Sequence, residues 1–356
     1  MTHTPVAGGE VATHLPLGIV LADWRATHPA EAAVADIVER MAATGARVAR
    51  LIAGSPLHGG AERSSRTNAS GDDQKQLDVL AEEIFVAALA GTGVALIGSE
   101  ESEDPIRIDM DAPYVLTMDP IDGSSNIDIN APIGTIFGIL PRAGFANAAE
   151  ALLQSGRAQV AAGIIIYGPS TVLILTLGDG TDIYALDPDS DAFLQTHRHV
   201  SLISDAREYA INASNARHWD VGIRAYVSDL VDGSVGPRAV DFNMRWLASL
   251  VAETYRILLR GGIFLYPSDE RPSYRDGRIR LVYEANPVAF LCEQAGGSAT
   301  NGFDDILDLS PAALHQRTPL IFGSRNKVDR VRRYLVDPPT IAEESPLFAQ
   351  RGLFRT

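Results

Sequence analysis

Asp119 and Asp122 stand three positions apart in Asp119-Pro120-Ile121-Asp122-Gly123-Ser124-Ser125, directly after the apolar run Tyr114-Val115-Leu116-Thr117-Met118. The run reads as a buried strand, so the two carboxylates fall at a strand end. Pro120 biases Asp119 away from helix. Gly123 permits a sharp turn, and the two serines can begin a helical turn. Carboxylate oxygens and the Ile121 carbonyl are hard ligands of the kind Mg²⁺ takes. The backbone N–H groups of Gly123, Ser124 and Ser125 would face an anion. Metal-assisted hydrolysis of a phosphate ester is the chemistry this segment offers.

Other acids occupy comparable places. Glu100 and Glu101 follow Val94-Ala95-Leu96-Ile97-Gly98-Ser99, and Glu284 follows Leu281-Val282-Tyr283. In open α/β sheets the carboxyl ends of strands are where ligands bind. Asp72 and Asp78 lie in the first turns of an expected helix. Any one of these acids is ordinarily a solvated loop residue, and Asp72 can serve simply as a helix cap. Two bare carboxylates at about 4 Å repel by about 4 kcal/mol at an effective dielectric of 20. A converging set therefore predicts bound cations. Arg245, beside Trp246, and Arg278 with Arg280 supply guanidinium groups, which grip phosphate in a bidentate fork. Asn212, Tyr266 and Tyr283 could add hydrogen bonds.

Three motifs are set aside. Asp187-Pro188-Asp189-Ser190-Asp191 resembles a calcium loop, but Ala192 takes the turn-glycine position and Arg198 the closing acid. Gly91-Thr92-Gly93 is too short for a dinucleotide fingerprint. His197 and His199 read as surface residues.

The elements that must position these groups alternate along the chain. Pro29 opens a helix with Val34, Ile37, Val38 and Met41 on one apolar face. Residues 55–71 read as a loop. A second helix from about Asp72 would turn Leu77, Leu80, Ile84 and Phe85 inward. Strands are expected at 94–98, 114–118, 135–140, 160–167 and 171–177. The 178–199 stretch reads as turn-rich and polar. In the second half, strands are expected at 209–212, 262–266, 279–283 and 320–323. Helices are expected at 221–230, 246–259, 286–297 and 327–335. Interleaved strands and helices imply a layered α/β architecture. The first dozen residues read as a mobile arm.

Composition narrows the class. The chain has 356 residues, enough for two domains, and a net charge of −15. That charge argues against nucleic acid and anionic membrane as partners. The lone Cys292 cannot form an intrachain disulfide and lies in an apolar stretch, as a buried inert thiol would. The sequence shows no signal peptide and no apolar run near the roughly 20 residues that span a membrane. A cytoplasmic protein is expected.

Over roughly residues 30–335 the motifs resemble class I fructose-1,6-bisphosphatases, of the lithium-sensitive, magnesium-dependent phosphatase superfamily. The matching pieces are Gly71-Asp72, Leu77-Asp78-Val79-Leu80, Ser99-Glu100-Glu101, the segment Asp119 to Asp128, and Gly134-Thr135-Ile136-Phe137-Gly138. They continue with Gly261-Gly262-Ile263-Phe264-Leu265-Tyr266-Pro267 and the segment Gly277 to Pro287. The resemblance implies a layered α/β/α/β/α sandwich of two mixed-sheet domains, 1–202 and 203–336, followed by an extended tail, 337–356. It implies hydrolysis of fructose 1,6-bisphosphate with two or three Mg²⁺ ions per subunit, Mn²⁺ being the alternative. Glu100, Asp119, Ile121, Asp122 and Glu284 would be metal ligands, and Asp72 would hold a further ion. Asp78 and Glu101 would accept the proton of the attacking water. Gly123, Ser124 and Ser125 would hold the 1-phosphate. Asn212, Tyr266 and Arg278 would hold the 6-phosphate, with Arg245 reaching in from a neighbouring subunit of a homotetramer. Carbohydrate metabolism, by gluconeogenesis or the Calvin cycle, would be the setting.

The chain departs from the family in places. Asn215 and Trp246 stand where tyrosines are common, and Arg278 where lysine is usual. Pro113 and Pro141 replace a lysine and an arginine of the AMP site in the animal enzymes, so weak or absent AMP inhibition is expected. The rival readings are a dual enzyme that also takes sedoheptulose 1,7-bisphosphate, an inositol or nucleotide monophosphatase, and a silent sugar-phosphate sensor.

Overall fold

The apolar residues of the strands alternate between two cores, and that alternation sets the layers. In Ala161–Tyr167, Ile165 and Tyr167 face one core while Ile164 and Ile166 face the other. In Ile263–Tyr266, Phe264 and Tyr266 point one way and Ile263 and Leu265 the opposite way. Strands buried on both faces carry continuous apolar runs, and such sheets need helices on each side. The computed structural model describes residues 10–11, 14–58, 63–67, 73–142, 144–145 and 147–338.

Among these, eight helices are numbered in chain order. They are α1 (Leu17–Thr27), α2 (Ala32–His58), α3 (Gln76–Leu89), the single turn α4 (Ala148–Ala151), α5 (Val221–Asp232), α6 (Leu250–Arg260), α7 (Asn286–Gln294) and α8 (Arg325–Val336). One sheet has nine strands. At its functional end the strands Ala161–Tyr167, Ile133–Pro141, Tyr114–Asp122 and Val94–Ser99 lie side by side. Only the last two run parallel; the other neighbours in this sheet are antiparallel. The second sheet has five strands and is also mixed.

Helices α1, α2 and α3 cover one face of the large sheet, where Leu21, Ile37, Met41 and Phe85 meet Leu116 and Phe137. Helices α6 and α7 fill the space between the sheets, through Val251, Val288 and Leu291. Helices α5 and α8 cover the outer face of the small sheet, with Tyr226, Leu230, Val328 and Val331 against Ile211 and Ile321. The order is α/β/α/β/α, the layered sandwich of mixed sheets that the sequence implied. No described helix is long and apolar enough to cross a membrane.

Several local expectations are corrected. The 178–199 stretch contains two strands, Asp182–Leu186 and Phe193–Arg198, which extend the large sheet. Polar residues hid the period, with Gln195 buried among them and most of the others half-buried. Residues 10–11, within the expected arm, pair with Arg198 and His197. The 55–71 loop gives way at both ends, because α2 runs to His58 and Arg63–Thr67 is a strand. The second helix starts at Gln76 rather than near Asp72, because Asp73–Lys75 pairs with Arg63–Thr67 as a strand, and Leu80 points outward, 42% exposed. Helix α6 starts at Leu250 rather than Trp246, because the Ser249 hydroxyl caps it by accepting from the Ala252 amide. The 279–283 strand stops after Arg280 and becomes a π-helical turn, Leu281–Ala285, leading into α7. Helix α1, which the pattern of the sequence did not suggest, buries only Leu17 and Leu21. The expected tail lies, from residue 339 on, outside the described residues.

Candidate active site

Parallel register brings the first acids together. Ser99 pairs with Met118, and the Glu100 amide donates to the Met118 carbonyl at 3.1 Å. Glu100 and Asp119 thus follow neighbouring residues of adjacent strands.

A bulge brings in the next. The strand continues through Asp122, with Asp119 opposite Ile136 and Asp122 opposite Gly134. Three steps on one strand therefore match two on its partner. Strict alternation would send residues three apart to opposite faces. One inserted residue restores the parity, so both carboxylates leave the same face. Pro120 sits within the bulge, where its missing N–H costs no ladder bond.

Asp119 Oδ1 accepts from the Ile121 amide at 3.0 Å, and Asp122 Oδ2 from the Val251 amide at 3.3 Å. Glu284 arrives on the π turn, where its carboxylate accepts from the Arg280 amide. Carboxylate oxygens of Asp119, Asp122 and Glu284 all lie within 4.8 Å of one another, and all three residues are buried. Glu100 adds its charge beside them, with its Oε1 3.9 Å from the buried Arg280 guanidinium.

Burial, reinforced by mutual repulsion, pushes Asp119 and Glu284 well above the usual carboxylate range. Asp122 is pushed up to about 7, mainly by burial, against the pull of the Val251 N–H. Bare anions are poorly tolerated here. Three closely spaced oxygen-only donors fit a hard divalent cation, which would remove both penalties.

The remaining expected acids lie on different elements. Asp78 is buried in the first turn of α3. Glu101 is half-buried in the loop after Val94–Ser99. The Ser102 hydroxyl donates to Glu82 Oε1 at 3.0 Å, tying that loop to α3 one turn beyond Asp78. Asp72 lies outside the described residues.

After the bulge the chain turns at Gly123, whose φ of +78° favours glycine. A short 3₁₀ helix, Ser124–Ile129, follows. The Asn126 side chain donates to the Ala248 carbonyl at 2.8 Å and fixes this turn beside the start of α6. Ser124 is half-buried and Ser125 exposed.

A cavity of about 360 Å³ opens from the acids. Glu100, Asp122 and Glu284 line it, and so do Asn212, Tyr266 and Arg278. Asn212 Oδ1 accepts from the Ser214 amide and hydroxyl. Trp246, Phe264 and Tyr266 stack with centroids 5.9–6.1 Å apart, giving the cavity an aromatic wall. Gly277 lets the chain that carries Arg278 into the strand Ile279–Arg280 approach its partner: its φ is +80°, and a Cβ there would lie 2.1 Å from the Thr318 carbonyl carbon.

Two expected hydrogen-bonding or charged groups are placed elsewhere. Tyr283 is buried with its hydroxyl 2.9 Å from His315 Nδ1, and it does not line the cavity. Arg245 is 54% exposed at the side chain, 3.7 Å from Glu208, and does not line it either. Arg317 was missed. It lines the cavity because Arg317–Thr318 pairs with Ile279–Arg280, a contact between short strands with no local sequence signal.

Comparison with known proteins agrees with this geometry. Residues 25–198 match the family model "Fructose-1-6-bisphosphatase, N-terminal domain", and residues 202–336 match "Fructose-1-6-bisphosphatase, C-terminal domain". The curated class 1 fructose-1,6-bisphosphatase of Sinorhizobium medicae (strain WSM419) is 51% identical over 328 residues, covering 90% of this chain and 93% of that protein. A class 1 relative from Xanthobacter autotrophicus is 46% identical over 355 residues, covering 99% and 95%. The crystal structure of Leishmania major fructose-1,6-bisphosphatase in holo form is similar with a TM-score of 0.80 and 34% identity, covering 85% of this chain and 94% of that one. The apo form gives 0.75 and 32% over the same shares. With both halves matched in order and nearly full-length relatives at about half identity, the chain belongs to the class 1 fructose-1,6-bisphosphatase family.

Proposed function

We propose that this chain hydrolyses fructose 1,6-bisphosphate to fructose 6-phosphate and phosphate, with Mg²⁺ as the activating ion. The observation that carries the reading is one cavity with two unlike sets of groups. Asp122 and Glu284 of the buried carboxylate cluster line it together with Glu100, and the cavity also holds Arg278, which pairs with no acid among the described residues. A monophosphate would leave that guanidinium unused. The relatives favour the bisphosphatase over the monophosphatase and sensor readings.

Asp119, Asp122, Glu284 and Glu100, with the Ile121 carbonyl, would hold the cations. Asp72 would add a further ligand. Bound there, Mg²⁺ supplies charge neutralisation at the transferring phosphoryl group and a lowered pKa for the attacking water. Asp78 and Glu101 would take that water's proton, as an acid pair sharing one proton can. The backbone amides of Gly123, Ser124 and Ser125 orient the reacting phosphate. Asn212, Tyr266 and Arg278 hold the far phosphate, whose binding energy positions the reacting one. Domains 1–202 and 203–336 would divide these tasks, with Glu284 crossing to the metal side.

Arg245 is exposed and away from its own cavity, which supports a role in the cavity of a second copy within a homotetramer. Phosphate release with and without Mg²⁺ tests the reading, for wild type and Asp119→Ala, on fructose 1,6-bisphosphate, sedoheptulose 1,7-bisphosphate and an inositol monophosphate. Metal-dependent release from the fructose compound, lost in the variant, is expected. Release from the inositol compound alone would overturn it.

A further inference from the structure

Arg278 is exposed and long, and one aromatic residue holds it. Its Nη1 donates to the Tyr274 hydroxyl, and its Cζ lies 4.6 Å from the Tyr274 ring centroid. A second guanidinium, from Arg271, lies 3.8 Å from the same centroid. Two cations on one ring repel unless one is neutralised.

Arg271 is the neutralised one. Its Nε donates to both Asp269 oxygens, at 3.0 and 3.1 Å, and its Nη2 donates to Asn215 Oδ1 at 3.0 Å. Those Arg271 bonds hold the Asp269 carboxyl below its usual range. The uncompensated charge on the ring is therefore that of Arg278. A phenol oxygen that accepts from Arg278 keeps its own O–H proton to donate, and no acceptor for that proton occurs among the described residues.

The phenol also lies on the right surface. Asn212 and Tyr266 line both the cavity that the acids border and a small recess that Tyr274, Asn215 and Asp269 also border. Tyr274 thus extends the part of the cavity that Asn212, Tyr266 and Arg278 form.

We infer that Tyr274 contacts the substrate and sets its specificity: it accepts from Arg278 and donates its own proton to an oxygen of the far phosphate. This rests on the bisphosphate reading above. The Asp269–Arg271 pair is the neutral buttress that holds the ring, and Arg278 with Tyr274 forms an anion-selective pair. A ligand end without negative charge leaves both donors unmet, which disfavours it.

The test is Tyr274→Phe, which keeps the ring that both guanidinium groups touch. Steady-state kinetics with fructose 1,6-bisphosphate and with fructose 1-phosphate are compared, together with calorimetric binding of fructose 6-phosphate. Loss of one hydrogen bond to a charged group predicts about a tenfold rise in KM for the bisphosphate with little change in kcat. The kcat/KM ratio of bisphosphate to 1-phosphate falls by the same factor, and fructose 6-phosphate binds about tenfold more weakly. Unchanged KM and unchanged fructose 6-phosphate binding would overturn the inference. So would equal losses on both substrates, the mark of a merely structural tyrosine. A wild type that binds fructose 6-phosphate better than the variant, yet hydrolyses no fructose 1,6-bisphosphate, would remove the activity reading and leave the contact standing.

Discussion

Asp122 accepts a hydrogen bond from Val251, 129 residues away, at 3.3 Å. One acid of the large sheet is thereby held on the first turn of α6, where the helix dipole favours negative charge. The bond offsets only part of the cost of three buried carboxylates, and that imbalance has measurable consequences.

Removing one charge should separate activity from stability. Asp119→Asn is expected to lower metal-dependent phosphate release by ~10²-fold or more, the scale of losing a charge-stabilising group. The same variant, in chelator, should melt no lower than wild type, because a buried repulsion has been removed. Calorimetry in chelator beside the activity assay checks both. A clearly lower Tm would mean that the acids do not repel one another.

The pH dependence has a definite sign. In the metal-free fold Asp122 is raised to about 7, and Asp119 and Glu284 are raised as well. The folded state then binds protons that the unfolded chain has already released. Their contribution to stability is fully present below the ordinary carboxylate range and is lost as pH rises to about 7. Urea midpoints in chelator should therefore fall, for this part, between pH 5 and pH 7.5. Mg²⁺ should restore the higher-pH stability, by about 2.7 kcal/mol at 100 times its Kd. A midpoint indifferent to Mg²⁺ would contradict cation binding by this cluster.

Gly277 is a backbone device for placing Arg278. Its positive φ and the 2.1 Å approach to Thr318 leave no room for a side chain. Gly277→Ala should cost about 1–3 kcal/mol of stability, as overpacking does, and raise KM for the bisphosphate more than it lowers kcat. Denaturation and kinetics on the same preparation would show it. A neutral result would mean that the two short strands separate freely.

Lys327 is 1% exposed, with its Nζ 3.7 Å from Asp205 and 4.2 Å from the Phe242 ring centroid. Burial lowers it to about 8. The unfolded chain keeps this proton up to the ordinary lysine value, so stability should rise with pH from about 8 toward 10.5. Lys327→Met should stabilise the protein at pH 7 by about 1 kcal/mol and abolish that alkaline rise. Thermal melts at pH 7 and 9.5 distinguish the outcomes; a destabilised variant would mean that the Asp205 pair outweighs the burial penalty.

Much of the fold was legible because its signals are local. The apolar face Val34, Ile37, Val38 and Met41 is fully buried, as its spacing required. The doubly buried strands stood out as continuous apolar runs, and Cys292 is the buried thiol that its neighbours implied, its pKa pushed up to about 12. Where a polar residue takes a buried place, as Gln195 does in Phe193–Arg198, the pattern faded and the strand was missed. Leu80 shows the converse error, since an apolar residue can sit outward on a helix whose register its neighbours decide.

By itself the sequence determined which acids follow which apolar runs, that Gly123 would turn the chain after Asp122, and that the donors are oxygen-only. Only the tertiary structure decided that these groups meet. Asp119 and Asp122 share a face because pairing with Ile133–Pro141 inserts a bulge, and a one-residue change in register reverses every side chain beyond it. Glu284 joins them from a π turn rather than a strand end, and Arg317 enters the cavity through a two-residue pairing. Register and bulges are set by partners far away in sequence, so the convergence of the site is a property of the packed sheets, while the identity of its atoms belongs to the chain.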